Sequence, residues 1–375
     1  MKIDLPKTHK IYRKNKGFLD AIHVDGWLLL GILLLLATSL AVVYSASGGD
    51  EAVMTRQAIR IGIALTIMLI FAQIPPNVIY IFTPWLFLMG ILMLIAVLLF
   101  GDIGKGAQRW LEIGPIRFQP SEAMKLLLPI TLAWLFAHSK FPPSLSRLAL
   151  GTALIALTGS LIVVQPDLGT SLLIGLSGLS VLFFAGLPWK VIFTSVAGVI
   201  LSAPVAWHFM HGYQKQRVLT FLTPESDPLG SGYHIIQSKI AIGSGGIDGK
   251  GYMGSTQAHL EFLPESTTDF IFSVLAEEFG LIGVIGLLML YSFVIARGLY
   301  IASQAQDNFT RLIAASFMMT LFVYIFVNIG MVSGLLPVVG LPLPLMSYGG
   351  SSLLTLMISF GILMSVHTHK KLLSK

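Results

Sequence analysis

Apolar residues recur along this chain in runs long enough to cross a bilayer, separated by short polar or proline-bearing breaks. A helix of ~20 apolar residues covers the hydrocarbon, and somewhat shorter ones are tolerated. Ten runs meet that criterion: 27–44, 58–73, 78–100, 123–138, 148–164, 170–187, 191–207, 270–296, 312–332 and 348–366. Pro75-Pro76, Pro142-Pro143 and Pro188 fall in the breaks between them, where a missing N–H does no harm to a helix ladder. The pattern predicts an all-α polytopic membrane protein with about ten transmembrane helices, folded as a single domain over 1–375. A mostly polar tail, 1–25, precedes the first run, and no cleavable signal is evident.

Two stretches exceed an ordinary connection, 101–119 and 208–268. The second lies between helices 7 and 8, and its length marks it as functional or independently folded. It holds a helix-like segment, 234–242, and a glycine-rich turn region, 243–251. No internal repeat is evident, so an inverted-repeat transporter finds no support.

Composition agrees with the pattern. Of 375 residues, 55% are hydrophobic and 11% charged, against roughly 25% charged in a soluble domain. The absence of cysteine rules out disulfides, thiolate metal centres and a cysteine nucleophile. The net charge of +6 reflects topology better than nucleic-acid binding. With the N-terminus inside, most of the 24 Lys and Arg residues fall on inside segments, and four of the others lie in the one long loop. Both termini are therefore expected in the cytoplasm, with 208–268 extracytoplasmic.

The charges that remain near the membrane are the candidates for chemistry, because an acid at or inside the bilayer boundary is costly to keep. Asp269 stands where a polar loop gives way to the run 270–296, with Glu277 and Glu278 deeper in that run. Those two point about 100° apart on a helix, so they cannot both face one site. In the first long loop, Pro120 suits the first turn of a helix capped by Gln119, with Glu122 in the dipole-favoured turn. Glu122 and Lys125 share a face three residues apart and read either as a surface ion pair or as part of a site. Arg109, Arg117 and Lys125 would suit an anionic ligand such as a phosphate. Asp167, in Gln165-Pro-Asp-Leu-Gly169, reads locally as a turn residue. His208, His211, His234 and His259 lack the clustering of a metal site. The segment 340–352, rich in Pro, Gly and hydroxyls, reads as a re-entrant turn or a packing corner. Gly330 and Gly334, four apart, would permit close approach of a neighbouring helix.

A single acid beside cationic groups at a membrane surface suits one chemistry in particular. It can deprotonate a hydroxyl that attacks a lipid-linked phosphosugar, with a polyprenyl diphosphate leaving. The motifs Gln108-Arg-Trp110, Phe118-Gln-Pro-Ser-Glu122, Gln165-Pro-Asp-Leu-Gly169, Leu263-Pro-Glu265, Thr268-Asp-Phe-Ile-Phe272, Leu275-Ala-Glu-Glu-Phe-Gly280 and Ser347-Tyr-Gly-Gly-Ser351 resemble, in order and over nearly the whole chain, the SEDS family (shape, elongation, division and sporulation). The short N-terminal tail favours the family's elongation branch over its division branch.

The resemblance implies ten transmembrane helices in the cytoplasmic (inner) membrane. It also implies an inverting peptidoglycan glycosyltransferase that polymerises lipid II into glycan strands at the outer face during cell elongation. Asp269 matches the family's essential aspartate, the base that activates the acceptor hydroxyl while undecaprenyl diphosphate leaves. Trp110 matches a sensitive tryptophan. Arg109, Glu122, Lys125 and Asp167 match polar cavity positions, and His259 and Glu265 complete the substrate-binding set. A divalent cation (Mg or Mn) is expected to support activity, with ligands unassigned and no organic cofactor. The expected partners are a class B penicillin-binding protein, which is a transpeptidase, and other elongation-complex proteins. Ser266-Thr267 departs from the basic residue and His often found before Thr-Asp in the family. A lipid II flippase and a non-catalytic scaffold recruiting the transpeptidase are the alternatives.

Overall fold

The computed structural model describes residues 22–104, 107–113, 116–139, 142–209, 212–223, 231–260, 262–263 and 265–369. In chain order the helices are α1 (Gly26–Ala46), α2 (Glu51–Ala72), α3 (Pro76–Phe100), α4 (Pro120–Phe136), α5 (Leu145–Val164), α6 (Leu168–Phe184), α7 (Trp189–Phe209), α8 (Gly212–Leu222), α9 (Ser231–Ser244), α10 (Thr256–His259), α11 (Ile271–Ser303), α12 (Asn308–Val332) and α13 (Ser351–Thr368). Every predicted apolar run coincides with one of these helices. Seven of them, α1, α2, α3, α5, α11, α12 and α13, are long and apolar enough to cross a membrane. The chain is an integral membrane protein.

Local chemistry sets the helix starts. The carboxylates of Asp25, Asp50 and Asp307 accept from Leu28 N, Ala52 N and Thr310 N at 2.8, 2.7 and 2.8 Å, satisfying N–H groups that no helical carbonyl reaches. Pro76 and Pro120 open α3 and α4, where proline costs no hydrogen bond. Of the seven long apolar helices, α12 is the most enclosed. It packs against α4, α6 and α11, while α13 lies along α2. The outer helices turn large apolar groups outward, Trp85 and Phe100 being 70% and 79% exposed, as expected where lipid is the solvent.

Three features were not legible in the apolar pattern. First, the loop predicted at 101–119 carries a small antiparallel sheet in the order β1 (Asp102–Gly104), β2 (Ala107–Ile113), β3 (Ile116–Phe118). Asp102 pairs with Trp110, and Glu112 with Arg117. Second, α11 is broken at Gly280 (φ 59°, ψ −159°), a backbone conformation open essentially to glycine alone. The turn after α9 fills the break. Lys250 N and Gly251 N donate to Glu277 O and Glu278 O at 3.0 and 2.9 Å, and Leu281 N and Ile282 N donate to Gly246 O and Ile247 O at 3.0 and 3.2 Å. A break inside an apolar helix is tolerable only when its freed backbone groups find such partners. Third, Gly330 and Gly334 are used inside the molecule. A Cβ on Gly330 would strike the Leu336 side chain at 2.8 Å, and Gly334 (φ 76°) ends α12 against Lys239 and Ile235. Both glycines are thus met by side chains of the same chain, as internal packing requires.

Candidate functional site

The polar residues gather at one end of the bundle, where α4 and α6 begin and α12 ends. Asp269 lies immediately before α11, half-buried. Its backbone is clamped from two sides. Asn328 of α12 donates from Nδ2 to Asp269 O at 2.9 Å and to Leu341 O at 2.6 Å. Ser347 Oγ donates to Thr268 O at 2.5 Å, and Tyr348 N to Thr267 O at 2.8 Å. The segment 340–350 therefore serves as a bracket for the aspartate. Thr268 Oγ1 in turn donates to Glu265 Oε2 at 2.8 Å, so Glu265 orients the residue before Asp269.

The same bracket brings Asp167 close. A Cβ on Gly169 would meet Val339 O at 2.8 Å, and one on Gly340 would lie 3.5 Å from Asp269 Oδ2. The start of α6 and the start of α11 thus flank the pair Val339-Gly340. Asp167 is more than a turn residue. It caps α6 through Thr170 N (3.2 Å), accepts from Gln119 Nε2 (3.3 Å) and faces Arg109 Nε at 3.7 Å. Arg109 also donates from Nη2 to Pro166 O at 2.6 Å. One strand residue, one helix cap and one loop residue are thereby tied into a single polar corner.

One turn into α4, Lys125 Nζ pairs with Glu122 Oε1 at 2.5 Å. The pair is not on the surface, as one sequence reading had it, because the two residues are only 5% and 7% exposed. Lys125 Nζ also lies 5.0 Å from the centroid of the Tyr324 ring. These three residues line a pocket with Thr320 of α12 and with Ser352 and Thr355 of α13. Arg109 and Lys125, which read from the sequence as suited to an anionic ligand, each have a carboxylate in hand.

The remaining sequence candidates have other settings. Trp110 is half-exposed in β2. His259 Nε2 is 3.0 Å from Ser45 O of α1. Glu277 is fully buried and accepts from Lys250 Nζ (2.6 Å), Ser255 Oγ (2.6 Å) and Thr256 N (3.1 Å), locking the preceding loop onto α11. Glu278 turns instead to α1 and accepts from Ser45 Oγ. The Arg117 side chain and His211 lie outside the described residues. Tyr324, Asn328, Arg56 and Arg60 escaped the sequence reading, and Tyr348 entered it only within the motif Ser347-Tyr-Gly-Gly-Ser351. Arg56 and Arg60 did carry a signal, two arginines four apart at the head of an apolar helix.

Among the described residues no three His, Asp or Glu side chains converge as metal ligands.

Comparison with known proteins agrees with the motifs. Residues 19–372 match the family described as cell cycle protein, FtsW/RodA/SpoVE. A peptidoglycan glycosyltransferase MrdB of Escherichia coli K12 is 55% identical over 362 residues, covering 96% of this chain and 98% of the relative. A probable peptidoglycan glycosyltransferase FtsW of Synechocystis is 38% identical over 91% of this chain and 86% of its own length. One solved chain belongs to a peptidoglycan synthase complex studied for its coordination of polymerization and crosslinking. It superposes with a TM-score of 0.80 at 34% identity, covering 92% of this chain and 97% of that one. The rod shape determining protein RodA of Thermus thermophilus gives 0.70 at 28% identity, over 92% and 98% of the two chains. On motif order, fold and coverage together, the chain belongs to the FtsW/RodA/SpoVE family.

Proposed function

We propose that this chain is a peptidoglycan glycosyltransferase that polymerises lipid II, with Asp269 as its base. The observation that carries the reading is the bracketed aspartate: a half-buried carboxylate on a backbone fixed by Asn328, Ser347 and Tyr348. In the step, the acceptor hydroxyl oxygen attacks the donor's anomeric carbon. The carbon–oxygen bond to the diphosphate breaks with inversion, its electron pair leaves on the polyprenyl diphosphate, and the hydroxyl proton passes to Asp269. Direct displacement needs one base, where a hydrolase would need two carboxylates. Glu265, Arg109, Asp167, Glu122, Lys125, Trp110 and His259 are assigned to substrate binding or to positioning around it. A divalent Mg or Mn ion enters this reading as a companion of the diphosphate, since such ions are commonly held by one or two carboxylates plus substrate phosphates.

In the same reading ten helices cross the cytoplasmic membrane, both termini are cytoplasmic, and the Asp269 end faces outward during cell elongation. The partner is a class B penicillin-binding protein whose single span packs on this bundle. The likeness to a chain of a synthase complex supports that assignment. The test is glycan synthesis from lipid II by the purified chain with its partner. A base contributes ~10²–10⁴-fold, so Asp269→Asn should abolish polymer while the protein still folds and binds its partner. Near-normal polymer from Asp269→Asn would overturn the assignment.

A further inference from the structure

With Arg109 and Lys125 already paired, the question is what neutralises a diphosphate at this end of the bundle. Arg56 and Arg60 of α2 differ from them: among the described residues no carboxylate pairs with either. They stand one turn apart on one face of the helix. Arg60 lies about 13 Å along α2 from Glu51, at ~1.5 Å per residue. A guanidinium at that depth is retained where it faces the bundle interior or a water-filled cavity.

Both arginines turn to one residue of the bracket. Arg56 Nε donates to Tyr348 Oη at 3.2 Å, and Arg60 Cζ lies 4.2 Å from the centroid of the Tyr348 ring. Gln57, between them, reaches from Nε2 toward Ser347 O at 3.4 Å. Gly350 sets bare backbone beside Arg60, whose Nε would be 3.8 Å from an added Cβ. Tyr348 is the residue whose N–H holds Thr267 O, two positions before Asp269. These contacts occupy one face of one guanidinium and one N–H of the other. A guanidinium carries five donors, so most remain available, and two forks one turn apart match two phosphoryl groups.

We propose that Arg56 and Arg60, held by Tyr348, form the subsite that grips the diphosphate of the lipid-linked donor as it becomes the leaving group. The inference rests on the glycosyltransferase reading and adds the residues that take up the charge released when the glycosyl–oxygen bond breaks. Tyr348 is a positioning residue: it fixes the guanidiniums on one side and the Asp269 segment on the other.

The test uses the full chain in phosphatidylcholine nanodiscs, with undecaprenyl diphosphate as the probe. Undecaprenol, inorganic pyrophosphate and added phosphatidylglycerol are the comparison ligands. Binding is read by native mass spectrometry, and the donor KM by polymerisation with the partner present. The parent and Asp269→Asn should bind undecaprenyl diphosphate alike. Arg56→Gln/Arg60→Gln should bind it at least about tenfold more weakly, with a raised KM, an unchanged melting midpoint and no change toward undecaprenol. Should the Gln pair fail to fold, Arg56→Lys/Arg60→Lys decides, since it keeps the charge and loses the planar fork. Weaker binding by a folded Lys pair supports the subsite, and parental affinity overturns it. Parental affinity in the Gln pair, no binding by the parent, equal binding of free pyrophosphate, or arginine-dependent retention of phosphatidylglycerol would each overturn the proposal. Normal polymer from Asp269→Asn with arginine-dependent binding intact would instead strike at the base assignment alone.

Discussion

Lys125→Met isolates the energetics of the buried pair on α4. Methionine keeps most of the apolar stem of lysine and removes the ammonium that sits 2.5 Å from Glu122. Glu122, 7% exposed, would then hold an uncompensated carboxylate. Breaking a buried ion pair by removing one partner costs about 3–5 kcal/mol. Loss of the cation over the Tyr324 ring adds roughly 0.5–2 kcal/mol. The cost belongs mainly to the stranded charge, so Glu122→Gln/Lys125→Met should recover most of it. Thermal unfolding of detergent-solubilised protein should therefore rank the parent highest, the double variant next and Lys125→Met well below. A Lys125→Met variant that melts with the parent would refute the reasoning, as would a double variant no better than the single. Glycan synthesis by the folded double variant then reads function separately: its loss places the pair at the substrate, and its retention confines the pair to packing.

Gly280→Ala should prevent accumulation of folded protein in membranes. The new Cβ would meet Gly249 N and Ile247 O at 2.4 Å each, backbone atoms that cannot swing aside; a parental yield and melting midpoint would exclude the break as a structural requirement. At the opposite end of the bundle, burial alone would raise the Asp25 carboxyl. Hydrogen bonds from Arg297 and Leu28 N and the charges of Arg297 and His367 outweigh it and hold the carboxyl below its ordinary value. A depressed carboxyl contributes stability above its unfolded pKa of ~3.9, and that stability disappears as pH falls through the lower folded value. Asp25→Asn should accordingly lower the melting midpoint at neutral pH and flatten the acid limb below about pH 4; identical pH–stability curves would refute the linkage. For topology, cysteines can be placed singly in this cysteine-free chain. Ile247→Cys should react with an impermeant thiol reagent from outside intact cells and Gln304→Cys should not, and the reverse pattern would overturn the proposed sidedness.

The sequence by itself determined the membrane class, the helical runs and the order of the motifs. Apolar periodicity and helix caps such as Asp25, Asp50 and Asp307 act over a few residues, so they can be read locally. Asp269 was legible for a related reason, since a charge at the edge of a 27-residue stretch such as 270–296 is expensive wherever the rest of the chain lies. Tertiary structure decided which charges answer one another. Asp167 read as a plain turn residue until Arg109 and Gln119, far away in sequence, were placed against it. Glu277 read as a possible site acid and proved to be the clasp for the loop before α11. The break at Gly280 depends on the turn at 245–251, and the bracket of Asp269 depends on Asn328 and the 340–350 segment. Such pairings are fixed by the packing of segments distant along the chain, which a local pattern does not report; the Glu122–Lys125 pair, three residues apart on one helix, could be read locally. Arg56 and Arg60 show the limit best. Their spacing was visible throughout, but that no carboxylate among the described residues pairs with either could be known only once the bundle had assembled.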